Sequence, residues 1–153
     1  MFGVSIFWRD LPAKLIRQHH LESHKIVRHD EADPEYTFHF RRHHPIPIVT
    51  DVGLLIVPWG SHRKGELPQT GWICQEDLQD KMWAHLDPVD VEIPCFAASA
   101  KGLWYHVPEG GIKAVMLSGK NQTAAYLITR EATHYFQVMT RLEREPVFVG
   151  RQI

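Results

Sequence analysis

Short apolar runs separated by turn residues fill the second half of the chain, and this spacing restricts the fold more than any other feature. The runs are VDVEIPCFA (89–97), GLWYHV (102–107), IKAVML (112–117), AAYLIT (124–129), HYFQVMT (134–140) and PVFVG (146–150). They are rich in β-branched and aromatic residues, which favour strands. Turn sequences such as PEGG and SGKNQ divide them. The pattern predicts a series of short, mostly antiparallel strands.

The first half of the chain adds more strands and two helical segments. Residues 3–8 are typical of a strand, and YTFHF (36–40) alternates so that Tyr36, Phe38 and Phe40 share one face. Helical patterns cover 10–25 and 75–86, the second with a stripe of Leu78, Met82 and Leu86. We therefore predict an α+β fold in a single domain, 1–153, with a curled, mostly antiparallel β-sheet or barrel-like core and two or three short helices.

A hairpin is predicted in HPIPIVTDVGLLIVPWG, residues 44–60, with its turn at 51–53. Because the nitrogens of Pro45 and Pro47 cannot donate to a neighbouring strand, we expect the first arm to be an edge strand or the entry to one. The second arm ends on Trp59, just before a basic loop. We expect this tryptophan to be exposed.

Composition limits the classes of function. The formal net charge of the 153-residue chain is −1, so binding to a polyanion would require a local basic patch. No run approaches the ~18 apolar residues of a membrane span, and the first residues do not resemble a signal peptide. The 2 cysteines lack a CxxC spacing, so neither a disulfide framework nor a zinc ribbon is expected. These features predict a cytoplasmic protein with no membrane partner.

Two short segments combine cations with aromatic rings. FHFRRHHP carries Arg41 and Arg42, while Trp59 is followed by His62, Arg63 and Lys64. Single-stranded nucleic acid is bound by this combination, since cations contact phosphates and rings stack on bases. The alternative is an edge strand that buries its phenylalanines and points its charges outward to prevent aggregation.

Histidine is over-represented, at 11 residues, and raises a metal hypothesis. His20 and His24 would share a helix face and could bind one ion, or they could simply form a solvated face. No third ligand is identified, so neither a metal site nor a cofactor is predicted. Convergence of three histidines would instead indicate a histidine-based or metal-assisted hydrolase; the candidates are His20, His24, His43, His44, His106 and His134.

No catalytic residue is predicted from the motifs. The chain has no GxSxG elbow, P-loop, GxGxxG or paired-carboxylate motif. Cys74 precedes a helical segment, where a thiolate could be stabilised. Cys95 lies in an apolar run and is expected to be buried and inert.

The order of several segments resembles a known family. The chain opens Met1-Phe2-Gly3, continues with HPIPIVTDVG and a strand ending in Trp-Gly, and later contains IPCFAASAKGLWYHV, LITREAT and LEREPVFV. This order resembles the SOS-response-associated peptidase-like (SRAP) family, whose members cross-link to abasic sites in single-stranded DNA. In that family the Trp-Gly strand end and the closing arginine border the DNA groove. The resemblance therefore adds Arg144 to the expected nucleic-acid-binding residues, which are Arg41, Arg42, Trp59, Arg63, Lys64 and Arg144.

The departures from the family concern its reactive residues. Phe2 stands where the family has its N-terminal cysteine, Tyr105 near its glutamate, and Thr140 or Leu142 near its histidine. A phenyl ring has no nucleophile, and a phenol of pKa about 10 cannot replace a carboxylate near neutral pH. The resemblance thus implies a catalytically degenerate SRAP-like domain.

Three functions remain open at this point. The leading hypothesis is a non-covalent single-stranded nucleic-acid-binding protein of bacterial or phage origin, with single-stranded DNA or a protein as its partner. The first alternative is the histidine-based or metal-assisted hydrolase. The second is a structural or protein-interaction module that associates through its sheet edges.

Overall fold

The computed structural model describes residues 2–27 and 33–150, in which the chain is α+β, as predicted. The strands of this part of the chain are β1 (Phe2–Phe7), β2 (Lys25–Ile26), β3 (Glu35–His39), β4 (Pro45–Thr50), β5 (Gly53–Pro58), β6 (Trp72–Cys74), β7 (Val89–Ile93), β8 (Ala97–Ala100), β9 (Leu103–His106), β10 (Ile112–Ser118), β11 (Thr123–Glu131) and β12 (Arg144–Pro146). Its three α-helices are α1 (Ala13–Gln18), α2 (Gln75–Gln79) and α3 (His134–Thr140).

The strands form two sheets. Sheet A has the order β2-β3-β1-β8-β9, and sheet B has the order β12-β11-β10-β7-β4-β5. Neighbouring strands in both orders are antiparallel, whereas β6 adds to β11 in parallel. The mostly antiparallel architecture is therefore confirmed. A barrel-like core was the other expectation, but no closed barrel forms within the described ranges.

Sheet B curls until the end of β5 returns to β11. Trp59 forms an isolated parallel bridge with Ala125, and the amide of Gly60 donates to the Ala125 carbonyl at 2.8 Å. On the same stretch of β11, the amide of Leu127 donates to the Gly71 carbonyl at 3.0 Å. The loop 59–71 is consequently anchored to β11 at both of its ends.

The hairpin of β4 and β5 is confirmed, although β4 is not an edge strand. In its turn, the Val52 amide donates to Thr50 Oγ1 at 3.2 Å, and that hydroxyl donates to the Gly53 carbonyl at 3.0 Å. β4 lies between β5 and β7, so the edge-strand prediction is wrong. The prolines are compatible with this position because β4 pairs with β7 at Val49, beyond both of them.

The segment HYFQVMT forms α3 and not the strand that its β-branched and aromatic content suggests. Thr133 caps the helix by accepting a hydrogen bond from the Phe136 amide at 3.2 Å, and Phe136 is buried beneath it. The helix ends at Thr140, and its C-cap, Arg141, has a left-handed φ of 60°. Capping and the burial of Phe136 thus outweigh the local strand propensity.

Both predicted helices are shorter than expected. α1 ends at Gln18, and His20 has a φ of 55°, so His20 and His24 do not share a helix face. α2 ends at Gln79, and the stripe predicted beyond it does not form. Met82 is 52% exposed, whereas Leu86 is buried in a separate 3-10 turn, Ala84–Leu86.

One hydrophobic cluster joins the two sheets. Val4, Ile6 and Phe38 of sheet A pack with Ile48 and Leu127 of sheet B. Apolar burial is the main favourable term in folding, so this cluster holds the sheets together.

Within residues 2–27 and 33–150, none of the helices has the length and apolar content of a membrane span.

Gly60→Ala should lower the free energy of unfolding by at least about 2 kcal/mol, because a left-handed φ and a close contact act together. Gly60 has a φ of +61°, and a Cβ there would lie 2.0 Å from the Thr70 carbonyl oxygen. A Cβ at Gly65 of the same loop would have no atom within 4 Å. Gly65→Ala is therefore the control and should change stability by less than about 0.5 kcal/mol. Urea unfolding measures both, and equal effects would contradict the anchoring role of Gly60.

Candidate nucleic-acid interface

The two basic and aromatic segments meet in the folded chain. One is the turn between β3 and β4, and the other begins the loop between β5 and β6. The ring of His43 stacks on that of His62, with centroids 3.7 Å apart and planes at 10°. This contact places the segment of Arg41 and Arg42 beside the segment of Arg63 and Lys64.

Phe40 extends this pair of stacked rings toward the interior. The ring of Phe40 stacks on the face of His62 opposite His43, with centroids 4.1 Å apart and planes at 18°. Its ring also meets the edges of Trp59 and Trp72, each with a centroid distance of 5.9 Å. We call Phe40, His62 and His43 the ring stack. Phe40, at the inner end of the stack, is partly buried, and His43, at the outer end, is exposed.

Four cations are adjacent in the chain to the histidines of the ring stack or within two residues of them. Arg41, Arg42, Arg63 and Lys64 are all exposed, and none forms an ion pair with a described carboxylate. The same loop carries one carboxylate, Glu66, which accepts hydrogen bonds from the Lys120 amide at 3.1 and 3.2 Å and offsets only part of this positive charge. A local positive patch therefore exists on a chain of net charge −1.

A groove of about 380 Å³ runs beside the ring stack. Its lining includes His43, His62 and Arg63, together with Asn121 and Gln122 of the β10–β11 turn. Exposed amide side chains carry both hydrogen-bond donors and acceptors, so these two residues can recognise the polar edge of a ligand. The groove thus combines two imidazole rings, one cation, Arg63, and two amides.

Trp59 does not belong to this surface, which corrects the sequence-based expectation. Its side chain is only 2% exposed, and its indole N–H donates to the Gly71 carbonyl at 2.9 Å. The ring turns inward because the curl of sheet B brings β11 over it. A base cannot stack on a buried ring, so substitution of Trp59 would report on folding.

Arg144 also lies away from the groove. It pairs with Glu131 at one end of β11, whereas the groove contacts Thr123 at the other end. These ends are roughly 26 Å apart at about 3.3 Å per residue. The Arg144 guanidinium instead donates to Glu76 and to the Thr129 carbonyl, both at 2.9 Å. Its role is to tie β12 to β11 and α2.

A second group of histidines lies partly buried behind this surface. The rings of His24 and His44 are 4.1 Å apart, and His39 is 6.0 Å from His44. Since a carbonyl only accepts, Nδ1 of His24 donates to Thr37 at 3.0 Å. Nδ1 of His44 accepts from the His39 amide at 3.0 Å, so the proton of a neutral His44 ring is on Nε2.

This arrangement does not produce a metal site. In the neutral His44 ring, the protonated Nε2 has no lone pair for a metal ion, and Nδ1 already accepts the hydrogen bond from the His39 amide. Across residues 2–27 and 33–150, no group of three or more His, Cys, Asp or Glu side chains is positioned to hold one. Of the six histidines considered from the sequence, this group contains only His24 and His44. The four others lie elsewhere, His43 in the ring stack, His20 in the turn after α1, His106 on β9 and His134 at the start of α3.

The pKa values of three histidine rings, His39, His44 and His62, are lowered. Burial, followed by the charges of His24, His39 and Arg42, lowers the pKa of His44 to about 4. Burial is also the main cause of the lowered pKa of His39, with Arg42 and His24 contributing. In the ring stack, burial and then His43 lower the pKa of His62. His44 and His62 are therefore uncharged near neutral pH.

The positions that the SRAP resemblance assigns to reactive residues lie in one apolar cluster. Phe2 and Tyr105 pack against buried Leu142 and Phe136. Phe2 also meets the edge of Trp72 at 4.8 Å, and Tyr105 meets Phe136 at 5.2 Å. The side chains of this cluster present no accessible nucleophile. Cys95 is also buried, which raises the pKa of its thiol to about 12.

Comparisons with protein-family models, with curated proteins and with solved structures find no match to this chain.

The four cations stay a prediction from the sequence, and the structure shows that they are exposed. The sequence did not indicate how the other residues of the candidate site are arranged. Histidines 43 and 62 were visible beside the cations, but only the fold stacks them. Asn121 and Gln122 lie in the turn sequence SGKNQ, which is typical of any hairpin. No signal in that turn could have assigned them to a groove.

The free energy of unfolding should fall as the pH drops from 6.5 to 4. In this range the unfolded chain binds a proton at His44 and the folded chain does not, and above 6.5 both forms are neutral. His44→Gln keeps an acceptor for the His39 amide but does not titrate. We expect it to reduce the fall by about 1–2 kcal/mol, a value discounted for the partial exposure of the ring.

Urea unfolding at pH 7 and pH 4.5 measures this difference. His85→Gln is the matched control because His85 is exposed in the turn Ala84–Leu86, outside the cluster. Identical pH dependence in wild type, His44→Gln and His85→Gln would refute the role of His44.

Proposed function

We propose that this chain binds single-stranded nucleic acid non-covalently through the groove beside the ring stack. The observation that carries the proposal is the contact between His43 and His62, since it joins both basic segments into one surface. The segments joined in this way carry an exposed ring, His43, and four exposed cations without carboxylate partners among the described residues, Arg41, Arg42, Arg63 and Lys64. Cations for phosphates and ring faces for bases are the two elements of single-strand binding.

Single strands fit this surface better than duplexes for a physical reason. In a duplex the base faces are covered by their neighbours, so an exposed protein ring has little to stack on. Bases of a single strand can be splayed onto such a ring without unpairing. The small size of the patch also suits a few nucleotides and not a long helical contact.

The absence of cross-linking chemistry belongs to the same proposal. The likeness to the SRAP family supports a degenerate member, in which Phe2, Tyr105 and Leu142 form an apolar cluster where reactive groups are expected. Neither Phe2 nor Leu142 carries a group that can attack an aldehyde or move a proton. Burial raises the pKa of Tyr105, so its phenol stays protonated.

A protein-interaction module is the second candidate, and one feature of α3 favours it. Tyr135, Val138 and Met139 are 68%, 65% and 59% exposed and follow one another on one helix face. A cavity of about 250 Å³ with apolar walls adjoins them. Exposed apolar surface of this kind often marks a contact with another protein. The hydrolase hypothesis has no comparable observation in its support.

Binding of a fluorescent single-stranded decamer should weaken as salt increases, because released counterions drive the association. Each phosphate contact contributes about 0.7 to the slope of log affinity against log salt. Arg63→Ala should therefore weaken binding several-fold and reduce the slope by about 0.7. Fluorescence anisotropy between about 25 and 200 mM salt covers the useful range.

Lys113→Ala is the matched control for this experiment. Lys113 is an exposed cation of β10, roughly 17 Å along the strand from Ser118, which pairs with Thr123 at the groove. It should leave both affinity and slope unchanged. Equal losses in the two variants would point to diffuse electrostatic attraction, and no binding at low salt would rule the proposal out.

An abasic site should not convert this binding into a covalent adduct. Wild-type protein mixed with an abasic single strand should migrate as free protein on a denaturing gel, because Phe2 replaces the N-terminal cysteine whose amine and thiol together trap the aldehyde in the SRAP family, and Cys95 is buried. The Phe2→Cys variant serves as the comparison for a chain whose second residue is cysteine. An adduct of the wild-type chain would contradict the degenerate interpretation.

A further inference from the structure

The ring stack ends on a histidine with one covered face and one open face. His62 covers one face of the His43 ring at 3.7 Å. His43 is nevertheless exposed, and no other described ring or cation lies over it. The opposite face of the imidazole is therefore available to a flat ligand.

The stack is held in place before any ligand arrives. Its base, Phe40, lies between the edges of Trp59 and Trp72. Phe40 also lies so close to Gly71 that a Cβ there would be 2.7 Å from the ring. A rigid platform loses little conformational entropy on binding, so its contacts contribute fully to affinity.

The backbone of His43 fixes the turn that carries its ring. Its φ is 59°, in the left-handed region, and its amide donates to the Phe40 carbonyl at 3.0 Å. His43 is thus the C-cap of the 3-10 turn Phe40–Arg42. The capped turn ties the outer ring of the stack to the residue at its inner end.

The charge state of the stack suits an aromatic ligand. His62 is sandwiched between Phe40 and His43, and burial followed by His43 lowers its pKa. Its Nε2 is buried and has no hydrogen-bond partner among the residues described. The interior of the stack is therefore neutral, and the positive charge lies on the surrounding arginines and lysine.

We propose that the open face of His43 holds one unpaired nucleobase, which becomes the fourth ring of the stack. This inference rests on the proposed function and specifies what its site recognises. Asn121 and Gln122 line the same groove and can donate to and accept from the edge of the base. The flanking cations then bind the phosphates on either side of it.

A nucleobase fits these features better than an acidic peptide does. Both would be attracted by the four cations. Only a nucleobase offers a flat ring for stacking together with an edge of donors and acceptors for the amides. The surface should therefore distinguish a strand that carries a base from a chain that carries only negative charge.

The experiment compares three fluorescent chains of equal charge, measured with the full-length protein at constant salt. The first is a decamer of stable abasic nucleotides, the second is the same decamer with one central 2-aminopurine, and the third is polyglutamate. We expect the 2-aminopurine decamer to bind roughly 10-fold to 100-fold more tightly than the abasic decamer, the range of one stacked base. Its fluorescence should be quenched on binding, which a merely structural role of His43 would not cause.

Three variants test the residue. His43→Asn removes the ring but suits the left-handed backbone, so the turn should keep its shape. It should abolish both the preference for the base and the quenching of 2-aminopurine. His43→Phe restores a ring and should restore both effects. The control is His106→Ala, which changes an exposed histidine of β9 at an edge of sheet A and should behave as wild type.

The outcomes separate the two proposals. Equal, salt-dependent binding of the abasic and 2-aminopurine decamers would overturn the stacking inference and leave single-strand binding intact. Polyglutamate binding as tight as that of the 2-aminopurine decamer would overturn the stacking inference in favour of a general anion surface. If no chain binds at low salt, both proposals fail.

Discussion

The hydrogen bond from the Trp59 indole to the Gly71 carbonyl is the contact on which the rest of the structure depends. It lies where the end of β5 returns to β11, and the Gly71 carbonyl also accepts the Leu127 amide. Gly60 has the left-handed φ that lets the chain turn away at this point. Because a buried polar group needs a hydrogen-bond partner, these bonds hold β5, β11 and the loop 59–71 together.

The same junction creates the candidate site. Phe40 packs against Gly71 and the two tryptophans, and the histidines stack outward from it. Core packing therefore continues without a break into the surface ring of His43. This explains how a chain with almost no net charge can present a defined basic and aromatic patch. The position of the patch is set by packing, and its charge is set by exposed side chains around it.

The apolar cluster of Phe2, Tyr105 and Leu142 gives physical sense to the departures from the SRAP pattern. These residues are distant in sequence but pack around Phe136 in the fold. A single apolar residue among charged neighbours would leave polar groups unsatisfied, whereas several together form a stable cluster.

Local patterns in the sequence determined the α+β class, the β4–β5 hairpin and the four cations of the patch, since turn chemistry and alternation act over a few residues. Only the tertiary structure decided that Trp59 faces inward and that Arg144 lies at the far end of β11. It also decided that HYFQVMT is a helix, whose Phe136 is buried. It also brought His43 onto His62. The reason is that these outcomes depend on contacts between segments far apart in the chain, whose energies a local pattern does not contain.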